Sequence, residues 1–272
     1  MGQNETFGCA LVLVLSAAAA AQEKRHYTLF NPTPRPLMRE MTADRPDLTE
    51  SPYTVDAGHV QLEASFLDYA REDADARVLA ILPANLKIGL LNNVDLQLLV
   101  NPYVHTDIDG DREGGFGNAQ LRTKVNIWGN DSGKTALALM PFIEFPTAGS
   151  DIDPTHHMQG GLIVPFAIEL SERLSLGLMA EFDLVYDGDD DDYDLEVLHT
   201  AALGLDLTDR FGTYLEYIGI APVSDAGDYQ ALLGVGLTYS VNADVQLDVG
   251  CNVGLTSNAS DFQIFSGITV RR

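Results

Sequence analysis

Cysteine is almost missing from this chain: Cys9 and Cys251 are the only two among 272 residues. No disulfide framework or Cys-based zinc site can be built from so few, the more so because Cys9 falls in a segment read below as a removable leader. Positive charge is scarce too, with 16 Lys plus Arg against 40 Asp plus Glu and a net charge of -24. A field of that sign excludes nucleic acid as a partner. Beyond the N-terminus nothing approaches the about 18 consecutive apolar residues that a membrane-spanning helix requires, so any membrane crossing must be made by strands. The 46% of apolar residues nevertheless excludes wholesale disorder.

What is present begins with a leader. Phe7 to Ala21 is an apolar run ending in small residues, and Ala19-Ala20-Ala21 before Gln22 is the expected cut, so residues 1–21 read as a signal peptide. Its n-region carries Glu5 and no Lys or Arg, and Cys9 sits too early for a lipoprotein box. From residue 22 to 57 the texture changes. Five of the twelve prolines fall here (Pro32, Pro34, Pro36, Pro46 and Pro52), together with Lys24, Arg25, Arg35, Arg39 and Arg45. Proline withholds backbone donors and blocks helix, so this stretch is expected to be either a mobile periplasmic lead or a plug folded back into a pore.

After Gly58 apolar and polar positions alternate, which is the signature of strands. Val245, Leu247, Val249, Cys251 and Val253 share one face, while Asp244, Gln246, Asp248 and Asn252 share the other. Twelve such segments can be marked, at 58–70, 76–91, 93–104, 118–128, 135–146, 158–169, 172–186, 193–207, 210–221, 228–240, 243–253 and 260–271. Short links alternate with longer ones, and 105–117 and 147–157 are the longest of the expected loops. The expectation is an all-β, twelve-stranded antiparallel transmembrane β-barrel over 58–272, with short periplasmic turns and longer external loops. A β-sandwich would not need strands this long. Most of these segments reach the roughly 9 to 11 residues that cross the hydrocarbon layer, and no charge occupies a mid-strand position of apolar parity. Tyr69, Tyr103, Trp128, Phe145, Tyr186, Tyr193, Phe211, Tyr229 and Tyr239 cluster near segment ends, as interfacial girdles do. Outer-membrane lipid is the expected surrounding and the bacterial outer membrane the expected location.

Particular runs also carry a family likeness. ADRPDLTESPYTVDAGHVQLE (Ala43 to Glu63), NNVDLQL (Asn92 to Leu98), GFGNAQLRTKVNIWGND (Gly115 to Asp131), TALALMPFIEFPTA (Thr135 to Ala148) and GGLIVPFAIEL (Gly160 to Leu170) together resemble the bacterial outer-membrane-type transporter family of the phenol-degradation MetA pathway. The likeness spans about residues 43 to 272. It implies a barrel and a transport role for an unspecified solute. One departure stands out: such barrels usually finish on an aromatic residue, whereas this chain ends Thr269-Val270-Arg271-Arg272.

In a barrel the polar parity faces the lumen. The expected lining is Gln61, Glu63, Asn85, Lys87, Asp95, Gln97, Arg122, Lys124, Glu181, Asp183, Glu196, Glu216, Asp244, Gln246 and Asp248. Acids outnumber bases there, which favours cations and polar neutral solutes over anions. Lys87, Arg122 and Lys124 are the candidates for a cross-lumen ladder with Glu63 and Asp95. The functional expectation is passive passage of small polar or aromatic solutes, with no cofactor. The alternative is a non-transporting structural or surface-binding barrel.

Asp107, Asp109 and Asp111, and Asp189 and Asp191, space carboxylates at every second position, a pattern that suits divalent cations at external loops. Both runs lack the glycine and glutamate of a complete EF-hand, and solvated loop tips are the plainer reading. His156 and His157 are adjacent and on a strand would point apart. His199 and Ser266 have lipid-facing parity, as an exterior lipid-hydrolysing pair would. No G-x-S-x-G context accompanies them, so no catalysis is expected.

Overall fold

Strands account for nearly all of the regular structure, which is a computed structural model describing residues 24–72, 76–188, 191–223 and 228–272. The expected leader, residues 1–21, lies outside the described residues. A single 3-10 turn, Arg35–Leu37, precedes fifteen strand segments: β1 Val60–Arg71, β2 Ala76–Ile81, β3 Ala84–Leu91, β4 Val94–Val100, β5 Tyr103–Ile108, β6 Asp111–Gly115, β7 Ala119–Trp128, β8 Thr135–Phe145, β9 Gln159–Glu169, β10 Leu174–Asp187, β11 Asp192–Asp206, β12 Phe211–Pro222, β13 Gln230–Asn242, β14 Val245–Gly254 and β15 Phe262–Arg271. Each pairs antiparallel with its neighbours, and β15 returns to pair with β1, so the sheet closes on itself and has no free long edge.

The fifteen segments make twelve passes of the wall. β2 and β3 form one pass interrupted at Leu82-Pro83, and β4 and β5 form another interrupted at Asn101-Pro102. Proline cannot donate to the ladder, so each interruption falls where a backbone N–H is missing. β6 and β7 are parted at residues 116–118, where Gly117 N donates to Asn101 O on the neighbouring pass at 2.8 Å. This differs from the sequence reading at one place. The stretch 105–117, expected as a loop, continues both strands outward as the β5–β6 hairpin. Its two-residue turn is Asp109-Gly110, with φ of 54° and 88°, the left-handed pair that matches the twist of flanking strands.

Side chains divide by parity. Leu215, Val235, Leu237, Val249 and Val253 are exposed on the outside, whereas Glu216, Asp248 and Asn252 on the same strands are buried inside. A polar interior within an apolar exterior is the inverse of a water-soluble protein and suits lipid contact. Among the described residues no helix is long and apolar enough to cross a membrane. Aromatic pairs bracket the wall: Phe211 with Tyr239 at 4.7 Å between ring centres and Trp128 with Phe166 at 6.4 Å near the end where β1 begins and β15 finishes, and Tyr186 with Tyr193 at 5.5 Å near the other. At the first of these ends Val60 and Arg272 exchange backbone hydrogen bonds.

Candidate functional site

Residues 24–57 fold back onto the wall: 24–40 lie across the mouth, largely exposed, and 41–57 occupy the interior against one half of it. Asp95 and Gln97 are fully enclosed, and Lys87, Lys124, Glu63 and Gln61 are nearly so, although all six stand on the inner face of a hollow sheet. Their partners explain it. Asp44 of the inner segment accepts from Lys124 at 2.7 Å and also from Lys87, which in turn bonds Glu63. Glu50 accepts from Arg122 at 2.6 Å, and the Val55 N–H donates to Asp95 at 3.0 Å. The expected ladder is therefore corrected. Lys87 does meet Glu63, but Arg122 and Lys124 are neutralised by the inner segment instead of Asp95, because Asp44 and Glu50 reach them across the lumen.

Charge is exchanged in the other direction too. Arg45 reaches Asp248 at 2.9 Å and hydrogen-bonds Ser65. Near the periplasmic mouth, Lys24 and Arg39 both lie 2.8 Å from Asp131 in the turn after β7, and Lys24 lies 2.9 Å from Asp56. Asn92 and Asn130 complete this cluster through Arg39, Asp131 and Thr54. Burial pushes the Asp131 carboxyl up. The hydrogen bond from Lys24, the charge of Arg39 and the hydrogen bond from Asn92 outweigh it and hold the group below the usual carboxylate range. Asp244, expected on the lining, stands instead in the turn between β13 and β14. It accepts from Arg35 and from Arg271. There slight burial raises its pKa, while the hydrogen bonds from Arg35 and Arg271 lower it further, so it too sits below the usual range.

These charged contacts fall on β14, β1, β3, β4 and β7, with Arg271 of β15 donating to Arg39 O at 2.8 Å. The opposite wall, β9 to β13, is largely uncovered. Between it and the inner segment lies a cavity of about 830 Å³, open toward the periplasmic end and lined by small residues such as Ser175, Gly177, Ala202, Gly204, Gly212 and Thr238. Only residues 48–50 reach across in hydrogen bonds. Glu216 accepts from Leu48 N at 3.0 Å, Thr49 N at 2.8 Å and Thr49 Oγ1 at 2.6 Å; Thr49 Oγ1 also meets Thr200 Oγ1 at 2.6 Å; Glu50 N donates to Met179 Sδ at 3.3 Å. Gly177 makes room for them, since a Cβ there would stand 3.0 Å from Thr49 Cγ2 and the threonine would have to give way.

Outward of this contact the interior turns apolar. Met140, Phe142, Ile163 and Met179 form a buried cluster with Leu198 against it, and Arg122 lies 5.7 Å above the Phe142 ring. Sequence reasoning missed this cluster. β8 is apolar on both faces (Leu139 and Ile143 outside, Met140 and Phe142 inside), so alternation gave no signal there. The available sign was the failure of alternation itself. Glu181, Asp183 and Glu196 follow toward the outside, half-buried on the inner parity. Asn85 hydrogen-bonds Gln97, and Gln246 borders the periplasmic cavity.

Two of the external carboxylates are engaged by neighbouring side chains. Asp107 pairs with Arg112 at 3.0 Å across the hairpin, Asp109 is a turn residue, and Asp191 accepts from the Tyr186 hydroxyl. Asp111 opens β6 opposite Ile108, and Asp189 lies outside the described residues. Among the described residues no three or more His, Cys, Asp or Glu side chains gather as a metal site. The reason is that the Asp-Gly turn spreads Asp107 and Asp111 along paired strands. His157 stacks on Tyr186 at 3.6 Å. His199 hydrogen-bonds the Tyr229 hydroxyl at 3.1 Å, and Tyr229 the Tyr217 hydroxyl at 2.6 Å. Ser266 lies on β15, four strands around the wall from β11, which carries His199, so the two do not form a pair.

The closed twelve-pass barrel places the chain among known outer-membrane folds. It superposes on the COG4313 outer membrane channel from Pseudomonas putida F1 with a TM-score of 0.61 at 12% identity, covering 85% of this chain and 100% of that one. The NanC porin gives 0.55 at 11% identity, covering 77% and 98%. The KdgM porin gives 0.50 at 8%, also covering 77% and 98%. No curated protein matches the sequence. Residues 43–271 match the family described as "Putative MetA-pathway of phenol degradation", and since that span takes in the inner segment from Ala43 and the whole closed sheet, the chain belongs to that family.

Proposed function

We propose that the protein is a passive channel of the bacterial outer membrane, carrying small solutes past an inner segment that covers half of its lumen. The observation that carries this reading is the asymmetry of the interior. One wall is bound tightly to residues 24–57, while the other faces a cavity of about 830 Å³ and, beyond it, an apolar strip and half-buried carboxylates.

The same asymmetry supports a solute preference. Lys87, Arg122 and Lys124 are covered by Asp44 and Glu50. The wall left open carries Glu181, Asp183, Glu196 and Glu216, and although Arg45, Arg173 and Arg210 border the cavity, the carboxylates a passing solute meets outnumber them. Inside low-dielectric walls this concentrates cations and repels anions. The strip formed by Met140, Phe142, Ile163, Met179 and Leu198 suits a flat apolar or aromatic portion of a solute.

Reconstitution of full-length protein in planar bilayers tests the reading. Conductance steps with a reversal potential favouring potassium over chloride are expected. Silence from protein whose gel mobility shows a folded barrel would favour the non-transporting alternative, and chloride preference would overturn the charge argument.

A further inference from the structure

We propose that the contact of Thr49 with Glu216 and Thr200 is the constriction that decides which solutes pass, and that the solutes it admits carry a hydroxyl or ammonium donor. The inference rests on the channel reading and names the specificity residues within it.

Position comes first. Glu216 and Thr200 stand just outward of the periplasmic cavity, level with the start of the apolar strip, so the tip formed by Leu48, Thr49 and Glu50 stands between the cavity and the strip. Leu48 and Thr49 are tied to the far wall by hydrogen bonds alone, whereas Asp44, Arg45 and Glu50 on either side of them are fastened by ion pairs to the wall from β14 through β7. Parting those bonds would open the uncovered half of the lumen while leaving the ion pairs on the other half intact.

Chemistry gives the class of solute. Glu216 is almost wholly enclosed and takes three donors from the tip, two backbone N–H groups and the Thr49 hydroxyl. A buried acceptor stripped of its donors is costly, so the open state favours a solute able to replace them. Hydroxyl and ammonium groups do so; a carboxylate or other anion brings only repulsion.

A reversible cross-link tests the proposal. In a Cys251→Ser background, Thr49→Cys and Thr200→Cys place two thiols where two hydroxyls now touch. Oxidised full-length protein should show the cross-link by mass, and its open events should fall at least about tenfold; a reductant should restore them. Cross-linked protein that conducts like the reduced form would overturn the proposal, as would failure of the cross-link to form in folded protein. If wild type and reduced variant are both silent although folded, the channel reading itself falls, and this one with it. Glu216→Gln provides a second measurement that needs no cross-link. It should lower the potassium-over-chloride preference by about twofold or more and reduce entry of ethanolammonium relative to glycerol in liposome swelling. An unchanged preference on both counts would remove Glu216 from the selective step.

Discussion

Lys124 Nζ stands 2.7 Å from Asp44 Oδ2, joining the seventh strand segment to a residue that precedes the first one by sixteen positions. Lys87 bonds the same oxygen, so one carboxylate of the inner segment answers two ammonium groups that the wall cannot neutralise unaided. Breaking a buried pair by deleting one partner costs about 3–5 kcal/mol, because the other charge stays behind uncompensated. Asp44→Ala is therefore expected to shift the docking equilibrium of residues 24–57 by a factor of about a hundred or more. Trypsin cleavage after Arg39 reads this out, since wild type should be protected and the variant cut. Equal protection would show that the pairs contribute little to docking.

Acid should release the periplasmic end of the same segment. Asp131 and Asp244 both have pKa values below the ordinary carboxylate range in the folded state. For a depressed carboxylate, the stabilisation is present above the unfolded value of about 3.9 and disappears as pH falls through the folded value. Docking of Lys24, Arg35 and Arg39 should then be indifferent to pH between about 5 and 7 and weaken below about 4. Digestion with an acid protease across that range, followed by N-terminal mass analysis, checks the sign. Weakening that began near neutrality would contradict it.

The outside of the wall answers to a different solvent. Val235 is 46% exposed and midway along β13. Val235→Arg would set a guanidinium in hydrocarbon at a cost of about 2–4 kcal/mol. Urea titration of folding into lipid vesicles should show that loss. Asp209→Arg, in a periplasmic turn, should leave the midpoint close to wild type.

At the outer tip of the barrel the turn depends on backbone handedness. Gly110 has a φ of 88° and nothing within 4 Å of where a Cβ would stand, so substitution there strains only the backbone. Gly110→Ala is expected to cost about 1–2 kcal/mol, confined to the β5–β6 hairpin. Faster amide exchange at Arg112 and Glu113, without change in the remaining strands, is the corresponding NMR observation.

How much of this was legible in the sequence depends on which interaction fixes each part. Strand parity is set by lipid outside and polar contacts inside, so Leu215 beside Glu216 or Val249 beside Asp248 declares its face within two residues. The β5–β6 extension is equally local, since Asp109-Gly110 is a hairpin turn pair, but carboxylates at every second position pattern as loop ligands too and mask the turn chemistry. The site was less legible because its bonds run between residues far apart in the chain, such as Thr49 with Glu216 or Arg45 with Asp248. Alternation carries no information about which inward side chain a separate strand of chain will meet. The apolar strip was hidden for another reason: Met140 and Phe142 face inward from a strand that is apolar on both sides.

Closure between β1 and β15 has a bearing on assembly. The inner segment leads directly into β1, and the last strand is the one that seals against it. Asp44 and Glu50 thus precede Lys87, Arg122 and Lys124 in the chain and are tethered beside the seam, and the sealing edge comes last. A sheet that closes at this seam can curve around its own filling and need not admit it through a finished mouth.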